Sequence, residues 1–144
     1  MKNLVSRIAL AALLTSGVAV TGANATTVNL APIYGSANAS SQSFGAASNA
    51  IDNNLDTANN FFESGTEVHP QWYVDLGKDF ILNSLSIYQR TSEAPRMLNN
   101  FTVTVFNNLG NAVFSALYAP TPGATVSTPF NIVFASPITG KRSR

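Results

Sequence analysis

The stretch with the most versatile chemistry is residues 67–80, EVHPQWYVDLGKDF, which holds the only histidine of the chain, His69, and its only tryptophan, Trp72. His69 could serve as a general base, but a hydrolase also needs a nucleophile beside that base or two carboxylates at a set separation. Pro70 follows His69 in a predicted loop, and the chain has no Gly-x-Ser-x-Gly motif. The pattern therefore favours a non-enzymatic protein. Paired carboxylates remain an alternative among Asp52, Asp56, Glu63, Glu67 and Glu93.

Two arginines, Arg90 and Arg96, lie in the segment that follows a predicted strand, with Glu93 between them. A guanidinium group gives parallel hydrogen bonds to adjacent oxygens, which suits neighbouring sugar hydroxyls. An aromatic ring would complete such a site by stacking on the sugar, and the candidate rings are Tyr34, Phe61 and Phe62. The pair of arginines indicates a carbohydrate site, and the alternative is a solvated loop with ordinary surface charges.

A dense cluster of Asp and Asn residues occupies positions 50–57, AIDNNLDT. Asx side chains bond to the nearby backbone and favour tight turns, so a loop is predicted here. Carboxylate and carbonyl oxygens concentrated in one loop are also the ligands that Ca²⁺ prefers. The cluster is therefore either a turn alone or a turn that binds a cation.

Residues 1–25 have the pattern of a secretory signal peptide. Lys2 and Arg7 precede an apolar run that ends at Val20, and Ala23-Asn24-Ala25 is a small-x-small cleavage site. We expect a secreted protein, extracellular or periplasmic, whose residues 26–144 form one domain. The apolar run is too short to span a bilayer and no second one follows, so no transmembrane segment is expected.

Charge and cysteine content exclude several classes of function. Residues 26–144 contain six basic and seven acidic residues, a net charge of about −1, which argues against nucleic-acid binding. The absence of cysteine excludes disulfides and thiol catalysis, and a single histidine excludes a multi-histidine zinc site. A hydrophobic core must therefore hold the fold together.

The elements that must position these residues are short, alternating strands separated by Gly, Asn and Pro, which predict an all-β, antiparallel β-sandwich. Residues 26–50 have little periodicity and are predicted as an extended lead-in with turns, and residues 137–144 as a polar tail. A turn is expected at residues 77–79 and a hairpin at residues 108–111. The predicted strands are 72–76, 80–88, 100–107, 112–118 and 130–134.

The order of motifs resembles the discoidin, or coagulation factor 5/8 type C, superfamily. Over residues 29–140 these motifs are NLA at 29–31, AIDNNLDT at 50–57, QWYVDLG at 71–77, LSIYQR at 85–90 and RMLNNFTVTV at 96–105. Fucose-binding F-type lectins and related carbohydrate-binding modules are the most similar members. The resemblance implies a jelly-roll-like, galactose-binding-like β-sandwich that is non-enzymatic and binds glycans or cell-surface carbohydrate through loops at one end.

The resemblance also assigns residues. It implies that Trp72, Val74 and Leu76 belong to the core and that Asp75 stabilises the fold. It further implies a structural Ca²⁺ held by the side chain of Asp52, the backbone carbonyls of Asn49 and Asn54 and, at a further loop position, Ser64.

For the sugar, Arg90 and Arg96 lie near the two sugar-binding arginines of F-type lectins, with a spacing one residue shorter. The lectin histidine has no direct match, because Thr66 or Glu67 stands in its place and His69 lies later. Polar contacts are expected from His69, Glu67 and Glu93. Glu93-Ala94 also replaces the cysteines common in the lectins, so general glycan binding is expected rather than fucose specificity.

The end of the chain departs from the family pattern. Relatives continue beyond a Thr-Gly-Lys like residues 139–141 into strands that carry an acidic calcium ligand, so we expect the last strands to be missing here and calcium binding to be weakened. The alternative function is an extracellular adhesion or matrix module that binds protein or lipid. Phe61-Phe62 and Met97-Leu98 would be its apolar loop tips.

Overall fold

A computed structural model of the chain describes residues 9–16, 28–55, 60–88, 100–119 and 129–143, with residues 9–16 described by their backbone only. Nearly all of the regular structure is antiparallel strand, which confirms the predicted all-β fold. The helical elements are α1 (Ala31–Tyr34) and a 3₁₀ helix (Ala47–Ala50). The strands are β1 (Ala9–Ser16), β2 (Val28–Asn29), β3 (Ser36–Ala39), β4 (Phe62–Glu63), β5 (Trp72–Tyr88), β6 (Phe101–Phe106), β7 (Ala112–Tyr118) and β8 (Phe130–Ser143).

Both helical elements in the described ranges have four residues, far short of the length that a helix needs to cross a membrane.

Strand β5 is the scaffold of the fold. It pairs with β8 along most of its length, with β3 over Trp72–Asp75 and with β1 over Ser84–Tyr88. Strand β6 pairs with both β7 and the end of β8. The loop before β5 is therefore anchored to one continuous, well-paired element.

The predicted turn at residues 77–79 does not divide β5 into two strands. Instead, the register with β8 shifts between Asp75 and Phe80, as in a β-bulge, and Gly77 has a φ of 80°. The carboxylate of Asp75 accepts a hydrogen bond from the Gly77 N–H at 2.8 Å and so holds this irregularity. The turn predicted from Gly-Lys-Asp therefore identified the irregular backbone at residues 77–79 correctly. The prediction that a strand ends there was wrong.

The core confirms the strand alternation predicted around Trp72. Trp72, Val74 and Leu76 are all buried, and the indole N–H of Trp72 donates to the carbonyl of Ala47 at 3.1 Å. The polar atom of the ring is therefore satisfied inside the protein. The remaining core residues come from β4, β5, β6 and β8 and from the segment between β2 and β4: Leu30, Ala31, Ala50, Ile51, Phe62, Leu82, Leu85, Ile87, Val103, Val105, Ile132 and Phe134.

The predicted hairpin is confirmed and the bounds of β7 match the prediction. Gly110 has a φ of 78° and donates its N–H to the Asn107 carbonyl at 3.0 Å. The Asn107 side chain accepts the N–H groups of Leu109 and Asn111, each at 3.0 Å. The turn is thus set by a glycine in the left-handed region and by one Asx side chain.

Two segments are more regular than the sequence predicted. Residues 26–50 contain α1, β3 and the 3₁₀ helix, where an extended lead-in was expected. The predicted polar tail is part of β8, which continues to Ser143 because its residues still pack inward. Gly140 is buried so closely that a Cβ there would lie 2.5 Å from Val105 Cγ1.

Strand β1 lies inside the segment that the sequence assigns to a signal peptide. Ala11–Thr15 pair with β5, Ala9 and Leu10 with β4, and Thr15 and Ser16 with β2. The cleaved leader stays a prediction. Its removal would take away the partner of Ser84–Tyr88 in β5.

Candidate loop site for a glycan and a cation

The Asp and Asn cluster forms a loop, called the Asx loop, which the structure describes over residues 51–55 and which is organised by the carboxylate of Asp52. Its Oδ1 accepts the Asn54 N–H at 2.8 Å and its Oδ2 accepts the Asn60 amide at 2.6 Å. Asn53, which lies between Asp52 and Asn54, adopts a φ of 63°, a left-handed conformation that Asn tolerates better than most residues. The 3₁₀ helix that carries Asn49 enters this loop and is fixed to β5 by the Trp72 hydrogen bond.

The residues assigned to calcium fit that ion in the chemistry of their donors. Asp52 and Asn54 are exposed in a loop whose polar groups are carboxylate, amide and carbonyl oxygens. Ser64 directly follows β4, against which the 3₁₀ helix packs, and is buried. Within the described ranges, no three His, Cys, Asp or Glu side chains converge on one point, and Asp56 lies outside those ranges.

The loop between β4 and β5, residues 64–71, is fixed by two serines from a distant part of the chain. Ser40 donates its hydroxyl to the Glu67 carboxylate, accepts the Gln71 N–H at 2.9 Å and bonds the Gln71 carbonyl through its own N–H at 2.9 Å. Ser41 Oγ accepts the Gly65 N–H at 3.0 Å. No sequence signal marked Ser40, because its partners lie about 30 residues away along the chain.

His69 is displayed at the surface by this fixed loop. It is exposed between Pro70 and Val68, which is 82% exposed, and its φ is 61°. A left-handed backbone is unfavourable for a residue with a Cβ, and such strain persists only where the surroundings enforce it. The hydrogen bonds of Ser40 and Ser41 supply that enforcement at both ends of the loop.

Arg90, Glu93 and Arg96 lie outside the described residues, and the structure describes the chain up to Tyr88 before them. Ala9 of β1 is paired with Glu63 of β4, and Ala11 is paired with Tyr88 of β5. Because both partners run antiparallel to β1, β4 and β5 end in the same direction. Strand spacings place the Cα atoms of Glu63 and Tyr88 within roughly 18 Å of each other. The end of β4 at Glu63 and the end of β5 at Tyr88 therefore lie near the same part of β1.

Most of the aromatic rings that the sequence offered for stacking on a sugar are buried. Phe62 is fully buried and Phe61 is buried against Phe44, with ring centroids 4.7 Å apart. The pair is apolar because it fills the core, so Phe61-Phe62 is neither a sugar platform nor an apolar loop tip. Tyr34 is half exposed and packs on Phe80, and Met97-Leu98 lies outside the described residues.

A second polar cluster, not predicted as a site, lies beside the start of β5. The carboxylate of Asp75 accepts a hydrogen bond from Arg142 Nη2 at 2.7 Å, and Lys141 Nζ lies 3.8 Å from the same group. Partial burial would raise the pKa of Asp75, but the hydrogen bonds from Arg142 and Gly77 and the nearby cations outweigh it, so this pKa lies below its usual value. These contacts with Gly77 and Arg142 suit the fold-stabilising role that the resemblance implies for Asp75.

Known structures share the fold. The chain is 24% identical to a histidine mutant of the lectin binding domain of Lectinolysin complexed with Lewis b, covering 82% of this chain and 83% of that one with a TM-score of 0.72. A fucose binding module from Streptococcus pneumoniae is 22% identical, with 81% of each chain covered and a TM-score of 0.70. The family 32 CBM from C. perfringens NanJ in complex with galactose is 24% identical, with 79% and 82% covered and a TM-score of 0.64.

No curated protein matches the chain by sequence. A family model does match it, over residues 49–144, which is about two thirds of its length and includes the Asx loop, β5 and β8. The chain therefore belongs to the F5/F8 type C family, as a NedA-like, galactose-binding domain.

Proposed function

We propose that this protein is a non-enzymatic, lectin-like carbohydrate-binding module that recognises glycans through loops at one end of its β-sandwich. The observation that carries the proposal is the loop of residues 64–71, which Ser40 and Ser41 hold in place and which carries Glu67 and displays His69 at the surface. The solved relatives with Lewis b and with galactose support the same class of ligand. The predicted leader supports export, to the extracellular space or the periplasm.

In this mechanism, recognition comes from polar groups on loops, of which the loop of residues 64–71 is held by Ser40 and Ser41. Arg90 and Arg96 would each donate two parallel hydrogen bonds to adjacent sugar hydroxyls. His69, Glu67 and Glu93 would add contacts that choose the orientation of those hydroxyls. Glu67 is already held by Ser40, so it would meet the sugar without a large loss of side-chain entropy.

Calcium is proposed as a structural ion and takes no part in any reaction. Asp52 would hold it through its side chain, Asn49 and Asn54 through backbone carbonyls, and Ser64 at the edge of the loop. The ion would supply a positive centre that holds the Asx loop and the end of β4 together. The Asp52 carboxylate would then exchange its bond from Asn60 for the ion.

We expect Ca²⁺ to raise the melting temperature of the protein, because an ion that binds only the native state stabilises it. Asp52→Asn should remove this shift, since it deletes the charge and keeps an acceptor for the Asn54 N–H. Thermal melts in Ca²⁺ and in a chelator measure the effect. Asp79→Asn is the matched control, because Asp79 accepts a backbone N–H from Asn108 outside the Asx loop. Equal calcium shifts in both variants would contradict the proposal.

The sugar site is tested by Arg90→Ala and Arg96→Ala. Each should weaken binding of galactose, fucose or Lewis b by about tenfold or more, since a hydrogen bond to a charged group contributes roughly 1.5–3 kcal/mol. Isothermal titration calorimetry measures the affinities. Arg90→Lys should also bind weakly, because lysine keeps the charge and loses the fork.

Two further variants make the sugar test specific. Lys78→Ala removes a positive charge that lies over the rings of Tyr34 and Phe80, and it should bind the sugar normally. His69→Gly should lose affinity and keep its stability, because glycine relieves the positive φ of that position. Unchanged affinity in both arginine variants would refute the glycan site, whatever the other variants do.

A further inference from the structure

The polar cluster beside the start of β5 lines a cleft of about 440 Å³. Its walls come from β5, from the end of β8 and from the hairpin between β6 and β7, which contribute Tyr73, Asp75, Asn108, Gly110, Lys141 and Arg142. His69, Glu67 and the Asx loop do not line this cleft. It is therefore separate from the loop site proposed above, and no role has been given to it so far.

The residues that line the cleft have an excess of positive charge. Lys141 and Arg142 face a single lining carboxylate, Asp75, while Asp79 accepts the Asn108 N–H at 2.9 Å from outside the lining. One guanidinium nitrogen of Arg142 donates to the Asp75 carboxylate at 2.7 Å. Lys141 Nζ lies 3.8 Å from the same carboxylate, too far for a strong hydrogen bond. The ammonium group of Lys141 is thus the donor with the most capacity for an anion from solution.

The remaining groups in the cleft suit a sugar ring. The guanidinium of Arg142 lies over the Tyr73 ring at 5.2 Å, which holds both groups in place through a cation–π contact. The side chain of Asn108 is exposed at the rim, and its amide both donates to and accepts from hydroxyls. Within the described ranges, the Tyr73 hydroxyl and the Asn108 side chain have no hydrogen-bond partner, so both are open to a ligand.

We propose that this cleft is a second saccharide site, which takes a sugar residue that carries an anionic group. Lys141 pairs with the anionic group, a carboxylate as in a uronic acid or a sulfate ester, while Tyr73 and Asn108 bind ring hydroxyls. Asp75 does not bind the sugar but keeps Arg142 placed over Tyr73. The proposal extends the proposed function to a second site, and it does not need Arg90 or Arg96.

The experiment is an NMR titration of the ¹⁵N-labelled Arg90→Ala/Arg96→Ala protein, so that failure of the loop site and failure of the cleft are distinguishable. Galacturonic acid should shift the amide signals of Asn108 and Gly110, and neutral galactose should not. Galactose 6-sulfate forms a second arm, and the tighter of the two ligands identifies the anionic group. If neither ligand shifts the hairpin amides, the proposal is overturned.

Lys141→Ala should weaken the acidic sugar by about tenfold, the loss expected for one charge-assisted hydrogen bond. Lys78→Ala is the matched control, because it removes the same charge from outside the cleft and should leave the affinity unchanged. If both lysine variants lose the same affinity for the acidic sugar, the loss reflects the overall charge of the protein, and the proposal is overturned. Acetate or inorganic sulfate that competes as well as the sugar would also overturn it, since the cleft would then bind a simple anion.

Discussion

Replacing Trp72 with alanine should destabilise the protein by about 3–5 kcal/mol, which is the usual cost of removing a buried large aromatic side chain. The ring is 6% exposed and packs in the core at the start of β5. Its loss also leaves the carbonyl of Ala47 without a donor from the indole. Because small domains are stable by only about 5–15 kcal/mol, the variant should be close to unfolding at room temperature. Urea denaturation followed by circular dichroism measures the change.

Trp72→Phe separates packing from hydrogen bonding. Phenylalanine keeps much of the ring and loses the N–H, so we expect a smaller loss of about 1–3 kcal/mol. This variant should also loosen the 3₁₀ helix that carries Asn49, and its calcium-dependent stabilisation should fall relative to the native protein. A Trp72→Ala variant within about 1 kcal/mol of the native protein would contradict a structural role for this residue, since surface substitutions have effects of that size.

Gly45→Ala should have a comparably large effect for a different reason. Gly45 has a φ of 62°, and a Cβ at this position would lie 1.8 Å from the backbone carbonyl oxygen of Phe61. A backbone atom cannot move aside as a flexible side chain can, so the segment that bridges Phe44 to Glu63 must separate. Strain and overpacking together should cost about 3–5 kcal/mol.

Gly77→Ala is the matched control for Gly45→Ala. Gly77 has a similar φ of 80°, yet a Cβ there meets nothing within 4 Å. Its cost should be limited to the left-handed backbone, about 1 kcal/mol. Thermal melts of the two variants therefore separate backbone strain from steric conflict. Equal melting temperatures would show that the close approach of the added Cβ to the Phe61 carbonyl does not destabilise the protein.

Local patterns predicted the parts of the fold that depend on neighbours in sequence. The hairpin was readable because Asn107 and Gly110 act within one turn. The core face of Trp72, Val74 and Leu76 was readable because side chains alternate along a strand. The continuity of β5 through Gly77 was not readable, because only the pairing with β8, more than 50 residues away, overrides the turn signal.

The candidate site was readable only in part for the same reason. Residue types identified His69, Glu67 and Asp52 as polar groups with binding chemistry. Their supports, Ser40 and Asn60, are ordinary polar residues whose roles arise from contacts across the fold. The cleft at Lys141 was missed because residues 137–144 were expected to be a polar tail, and only the pairing of β8 with β5 brings Lys141 and Arg142 to Asp75.

Strand β1 shows how one sequence pattern supports two outcomes. An apolar run of small and aliphatic residues suits the central region of a signal peptide, and it also suits a strand inserted between β2, β4 and β5. Composition alone does not separate these uses. If the leader is removed, the edge of β5 at Leu85–Tyr88 loses its partner strand and favours association with another strand.

The bonds of Ser40 to Glu67 and Gln71 have a consequence for engineering. They fix the frame of residues 64–71 from outside, while Thr66, Val68 and His69 stay exposed and contribute nothing to the core. These three positions can therefore be randomised in a library that changes ligand preference, because substitutions there do not disturb the folded core. Glycine and asparagine should be among the residues allowed at position 69, because its φ is positive. Every library member must retain Ser40.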